Sequence, residues 1–248
     1  MHKLFISRSL RLASIGLIGV AAASAQAQTD GRWHGSVAAG GALASGNTTS
    51  QALTIGADGV KATTADKTTL YGLANFAQST VNDVTTKTSE LFRLGGRYDY
   101  NLSAQYFAFG GAEAETNKAQ GLDSRYAANA GLGYKMIRTP STTWDLFAGL
   151  GYSSTRYTVD LTRKGVELVL GEESTHKLSD TTSFKQRLMV FPGQDDLGVR
   201  STFDATLSTA ISGGWTLNVG AAVRHASKVP DGTKNVDSLV TVGFGYKY

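Results

Sequence analysis

The stretch LVTVGFGYKY, residues 239–248, decides the fold. Val240, Val242, Phe244, Tyr246 and Tyr248 alternate strictly with Thr241, Gly243, Gly245 and Lys247. A period of two places five apolar or aromatic side chains on one face of a β-strand and small or polar ones on the other. A water-soluble strand rarely leaves such a face uncovered.

Working outward, the same period recurs in segments of ten to fifteen residues with turn-forming residues between them. Strands are predicted near 32–44, 49–63, 68–79, 86–100, 104–117, 123–137, 143–156, 166–178, 182–191, 197–211, 214–227 and 236–248, twelve in all. The chain holds 29 glycines and 3 prolines, and no apolar run beyond the N-terminal segment approaches the length of a membrane-spanning helix. Strands eight and nine fit least well. Glu167, Val169, Gly171, Glu173 and Lys177 lie opposite Leu168, Leu170, Glu172, Ser174 and His176, neither face being clean, and Gln186 falls among Phe184, Leu188 and Val190. A bulge there would shift the register.

The opening residues MHKLFISRSLRLASIGLIGVAAASAQAQ read as a secretory signal: Lys3, Arg8 and Arg11, an apolar run, then Ala25 and Ala27 as an A-x-A site. Residues 1–27 are the expected signal peptide and 28–248 a single barrel domain. Removing the signal leaves 21 basic against 20 acidic residues, so the pI of 9.2 implies no nucleic-acid partner. Cysteine is absent, so an exported chain of this kind draws its stability from a core or from a bilayer rather than from disulfides.

Closure into a membrane barrel explains the alternation better than a soluble sandwich, because the apolar faces are rich in Ala and Gly, a poor core but adequate against lipid. The expected fold is an all-β, antiparallel up-and-down transmembrane barrel. Connections after even strands are short and most of those after odd strands are longer, as expected when both termini lie in the periplasm. Trp33, Trp144 and Trp215 open odd strands, and Tyr98, Tyr106, Tyr134 and Tyr248 fall at the same edge, as an interfacial aromatic girdle would.

The opposite faces carry charge. Arg93, Arg97, Asp99, Glu113, Glu115, Arg125, Lys135, Asp145, Arg200, Asp204, Arg224 and Lys247 are expected to line the lumen. Either they face a water-filled channel, or they neutralise one another in a network that fills it. Twelve strands give a backbone diameter of roughly 24 Å, and side chains reduce the gap to about 10 Å or less.

SGNT (45–48), RYDY (97–100), QGLDSRY (120–126), GLGYK (131–135) and GLGYS (149–153), in that order and spacing, resemble domain-of-unknown-function family 481, the salt-induced outer membrane proteins. The resemblance implies an integral outer-membrane protein of a Gram-negative bacterium tied to osmotic or envelope stress. It brings no substrate and no catalytic residues. The final strand, ending at Tyr248, also resembles the signal recognised by the barrel assembly machinery. Lipid, that machinery and no nucleic acid are the expected partners, for a monomer without cofactor or metal.

Enzymatic patterns are sparse, and no HExxH or phosphate-loop motif occurs. Ser174 and His176, two apart on one strand face, are the pair from which a membrane-embedded lipid hydrolase would be built, although the order is reversed relative to outer-membrane phospholipases. His34 is isolated and His225 reads as a headgroup or loop contact. A soluble periplasmic binding barrel is the other alternative. The best-supported reading is a narrow, weakly selective passage for small solutes or a structural envelope-stress protein.

Overall fold

The computed structural model describes residues 29–44, 48–81, 84–118, 121–230 and 235–248; the predicted signal peptide lies outside the described residues. Twelve strands follow one another: β1 (Trp33–Ala44), β2 (Thr48–Ala62), β3 (Asp66–Val81), β4 (Val84–Asn101), β5 (Tyr106–Asn117), β6 (Leu122–Arg138), β7 (Thr142–Tyr157), β8 (Thr162–Lys177), β9 (Thr182–Pro192), β10 (Val199–Ser212), β11 (Trp215–Ala226) and β12 (Val236–Lys247). Each pairs antiparallel with its sequence neighbours, and β12 pairs with β1 to close the barrel. Closure removes the free edges that strands of this length would otherwise expose.

Alternation fixes the faces. On β12, Val240, Val242, Phe244, Tyr246 and Tyr248 point outward and are 44–66% exposed, while Thr241 is buried inside. On β4, Phe92, Leu94, Tyr98 and Tyr100 are outside, and Arg93, Arg97 and Asp99 are within. The outer wall is therefore apolar and the inner wall polar, the inverse of a soluble core.

Three expectations are corrected. The connection anticipated at 157–165 shrinks to 158–161, because β7 continues to Tyr157 and β8 begins at Thr162. The other outer connections are also short until 193–198 and 227–235, so loop length distinguishes the two ends less than the sequence suggested. No bulge interrupts β8 and β9, which pair in unbroken register from Leu170↔Val190 to Lys177↔Ser183. Register shifts occur instead between β3 and β4, β5 and β6, β6 and β7, and β10 and β11.

The inner face is not purely polar either. Phe107 and Phe109 share the phase of Glu113 and Glu115, and with Phe147, Val169 and Met189 they form a buried apolar cluster inside the barrel, with Phe191 packed against it. Each ring lies across a glycine on the neighbouring strand: Phe107 opposite Gly133, Phe109 opposite Gly131 and Phe147 opposite Gly171. A Cβ built on Gly133 would stand 2.0 Å from Phe107 Cζ, and one on Gly171 would stand 2.5 Å from the Phe147 ring. Tyr71 covers Gly95 in the same way, at 2.4 Å. Glycine gives the space that lets a luminal ring lie flat on the next strand, which explains why GLGYK alternates glycine inside the barrel.

The seam between β1 and β12 is short. Register pairs run only from Ser36↔Lys247 to Ala39↔Phe244, extended by mutual backbone hydrogen bonds between Gly35 and Tyr248. β1 continues to pair with β2 through Ala44, and β12 pairs with β11 from Val236. A Cβ on Gly41 would meet Ala52 O at 3.0 Å and, among the described residues, no atom of β12 within 4 Å.

Candidate functional site

The lumen gathers the charges that the sequence places on inner faces. Arg93 of β4 reaches β5, with Nη2 3.1 Å from Glu115 and Nε 3.7 Å from Glu113. Glu115 is also approached by Arg125 of β6 at 3.4 Å, and Arg125 Nε donates to Thr155 Oγ1 of β7 at 3.1 Å. Tyr71 spans β4 to donate to Glu113 at 2.5 Å. One continuous network thus ties five strands, β3 to β7, at mid-height.

A second group faces it. Arg224 of β11 donates to Asp204 of β10 at 2.5 Å, and Arg200 of β10 donates to Glu167 of β8 at 2.8 Å. Glu167 is buried and also accepts from Ser153 at 3.1 Å. The two groups stand on opposite sides of the closed barrel, one on β4 to β6 and the other centred on β10 and β11.

Nearer the end where β4 finishes and β5 begins, Asp99 is held by Arg97 at 2.5 Å and Lys67 at 3.1 Å. The Arg97 guanidinium also lies over three rings, with its carbon 5.5 Å from Phe107, 4.7 Å from Phe109 and 4.4 Å from Phe147. Cation–π attraction and the carboxylate together fix the guanidinium in a mostly apolar setting. Lys135 donates to Asn101 at 2.7 Å, and Asp145 is paired with Arg138. Glu173 pairs with Arg187 at 3.8 Å and also faces Lys185.

Asp58, Lys67, Tyr71, Glu167, Glu173, Lys185 and Arg187 are luminal residues that sequence reasoning left out. The signal for those on β8 was the leucine phase: Leu168 and Leu170 face lipid, so Glu167 and Glu173 face in. The aromatic residues Trp33, Trp215, Tyr98, Tyr134 and Tyr248 stand 37–63% exposed on the outer wall at one end of the barrel, and Trp144 shares that face. Trp215 packs edge-on against Tyr246 at 5.5 Å, and Tyr106 tilts against Tyr134 at 5.2 Å.

Ser174 and His176 do meet, with Nε2 3.1 Å from Ser174 Oγ, but on the outer face. The other ring nitrogen faces the Thr142 hydroxyl at 3.3 Å rather than a carboxylate, and Ser174 is 2% exposed. His34 is bound by Asp30 at 3.0 Å, and His225 points outward. Among the described residues no group of three or more His, Cys, Asp or Glu side chains is placed to hold a metal ion.

The family described as "Protein of unknown function, DUF481" matches residues 37–248, from the seam strand through the closing strand. The chain belongs to this family. A relative, the uncharacterized protein YdiY of Escherichia coli (strain K12), is 28% identical over 216 residues, covering 86% of this chain and 82% of YdiY. Among solved structures, an outer membrane channel from Pseudomonas putida F1 superposes with a TM-score of 0.51 at 12% identity, covering 87% of this chain and 94% of the channel. The KdgM porin gives a TM-score of 0.45 at 12% identity, over 86% of this chain and 99% of the porin. At 12% identity the likeness to the Pseudomonas putida channel concerns the barrel fold alone.

Proposed function

We propose that this chain is an integral outer-membrane barrel whose lumen is a narrow, weakly selective passage for small solutes, held closed in the present arrangement by its paired charges. The supporting observation is the chemistry of the filling. A purely structural cylinder could fill its interior with apolar side chains, which avoids the desolvation of many ions. This barrel instead keeps Arg93, Glu113, Glu115, Arg125, Asp204 and Arg224 facing one another across the lumen. Such pairs can separate and rehydrate, which an apolar plug cannot do. Charges of both signs disfavour strong anion or cation preference.

Occlusion supports a second reading, a structural envelope protein induced by stress. Inner-wall residues on three strands, Ala38 on β1, Asn218 on β11 and Val169 on β8, are at most 3% exposed. Both readings place the protein in the outer membrane of a Gram-negative bacterium, exported through a cleaved signal peptide. They need no catalytic step or cofactor, and assign assembly to the barrel machinery acting on the strand that ends at Tyr248.

Single-channel recording in a planar bilayer separates the two. The passage predicts discrete conductance steps that enlarge, with altered cation-to-anion preference, in Arg93→Ala and Arg97→Ala. Folded barrel that remains electrically silent in wild type and both variants would leave the structural reading.

A further inference from the structure

The lipid-facing wall carries a run of polar residues on β8. On β8 the outward residues Leu168 and Leu170 are 48% and 45% exposed, and the next three outward positions are Glu172, Ser174 and His176. Glu172 stands between Leu146 and Leu188 on the neighbouring strands, two apolar side chains. Its carboxylate accepts hydrogen bonds from Trp144 Nε1 at 2.6 Å and from Gln186 Nε2 at 3.3 Å. Below it, His176 bridges Ser174 and Thr142 and stacks on Phe184, with centroids 6.2 Å apart.

Both donors to Glu172 are neutral. They orient the carboxylate but leave its charge, and no described residue forms a salt bridge with it. The basic residues of β9, Lys185 and Arg187, alternate to the inner face, where they serve Glu173. A charge on the lipid-facing side of a barrel is unfavourable, less so for acidic residues and near the interface. Glu172 lies on the same end of the barrel as the aromatic girdle, where headgroups begin. A cation supplied by the bilayer would match it.

We propose that Glu172, Trp144 and Gln186 form a binding site for a phospholipid with a primary ammonium headgroup. The ammonium group pairs with the Glu172 carboxylate beside the Trp144 indole, which adds cation–π attraction. The acyl chains then run along Leu146, Leu168, Leu170 and Leu188. An anionic headgroup would be repelled by the same carboxylate. The site rests on the membrane location proposed above but not on conduction.

The test folds full-length mature protein into vesicles of equal phosphatidylethanolamine and phosphatidylglycerol, isolates it by flotation, and counts lipid adducts by native mass spectrometry. Wild type is expected to retain phosphatidylethanolamine about fivefold over phosphatidylglycerol, the ratio that a single exposed charge contact of roughly 1 kcal/mol supplies. Glu172→Gln should return the ratio to that of the vesicle. Trp144→Phe, which keeps the charge, should lower it only partly, and Tyr98→Phe elsewhere on the rim should leave it unchanged. Wild type at the vesicle ratio, or enrichment that survives Glu172→Gln, would overturn the site. Protein that does not float with vesicles would overturn the membrane reading and the site together. Should Glu172→Gln not fold, wild type and Trp144→Phe decide the matter: no enrichment, or enrichment untouched by losing the indole donor, counts against it.

Discussion

Replacing Gly133 by Ala tests how the lumen is packed. The added methyl carbon would lie 2.0 Å from Phe107 Cζ and 2.4 Å from two further ring atoms. Carbon atoms rest at about 3.5–4.0 Å, so the ring must retreat by roughly 1.5 Å or more. Little room exists, because Phe107 is 2% exposed and lies beneath the Arg97 guanidinium in a cluster with Phe109 and Phe147. Overpacking of this kind costs about 1–3 kcal/mol. Gly110→Ala is the control: it faces outward and its Cβ would meet nothing closer than Asn129 O at 4.0 Å, so it should stay within about 0.5 kcal/mol of wild type. The assay is urea unfolding of the detergent-folded barrel, followed by tryptophan emission and checked by the heat-dependent gel shift of folded barrels. In a Phe107→Ala background the clash vanishes, so Gly133→Ala should cost less than about 0.5 kcal/mol and the double-mutant cycle should show coupling of about 1–3 kcal/mol. Equal losses in both backgrounds, or no loss in the first, would refute the ring-on-glycine packing.

Four other outcomes follow from the geometry. Removing Arg93 leaves Glu115, whose side chain is 5% exposed, with only Arg125 as ion partner, so Arg93→Ala should destabilise the barrel by about 3–5 kcal/mol, and Glu115→Gln in the same chain should restore part of it in the same urea titration. In the seam, a cysteine pair at Ala39 and Phe244 should oxidise readily, whereas one at Gly41 and Val242 should remain reduced under the same conditions; rapid bridging of the upper pair would show that the strands pair beyond Ala39. Trp144→Phe should cost about 1–3 kcal/mol by leaving Glu172 short of a donor, and far less when Glu172 is already Gln; identical costs in the two backgrounds would contradict the bond. Phospholipid hydrolysis by wild type should stay at background, unchanged in Ser174→Ala and His176→Ala, and activity lost in both variants would establish the hydrolase reading instead.

The periodicity of residues such as Val240 to Tyr248 determined the strand number and the inner and outer faces, because alternation is a local property that every strand carries in its own sequence. Charge at Arg93, Glu113, Glu115 and Arg125 was legible for the same reason: each sits in phase with its neighbours. What the sequence could not determine was which luminal groups meet. The pairing of Arg200 with Glu167 skips a strand, and the reach of Tyr71 to Glu113 depends on an open surface at Gly95 between them. Such contacts arise from register and from the curvature of a closed sheet, and neither is encoded within one strand. Glu172 shows the division most clearly. Neither face of β8 was clean in the sequence; the straight register of β8 and β9, and with it the outward side of Glu172 and the Trp144 and Gln186 donors that orient the carboxylate, was decided only when three strands came side by side.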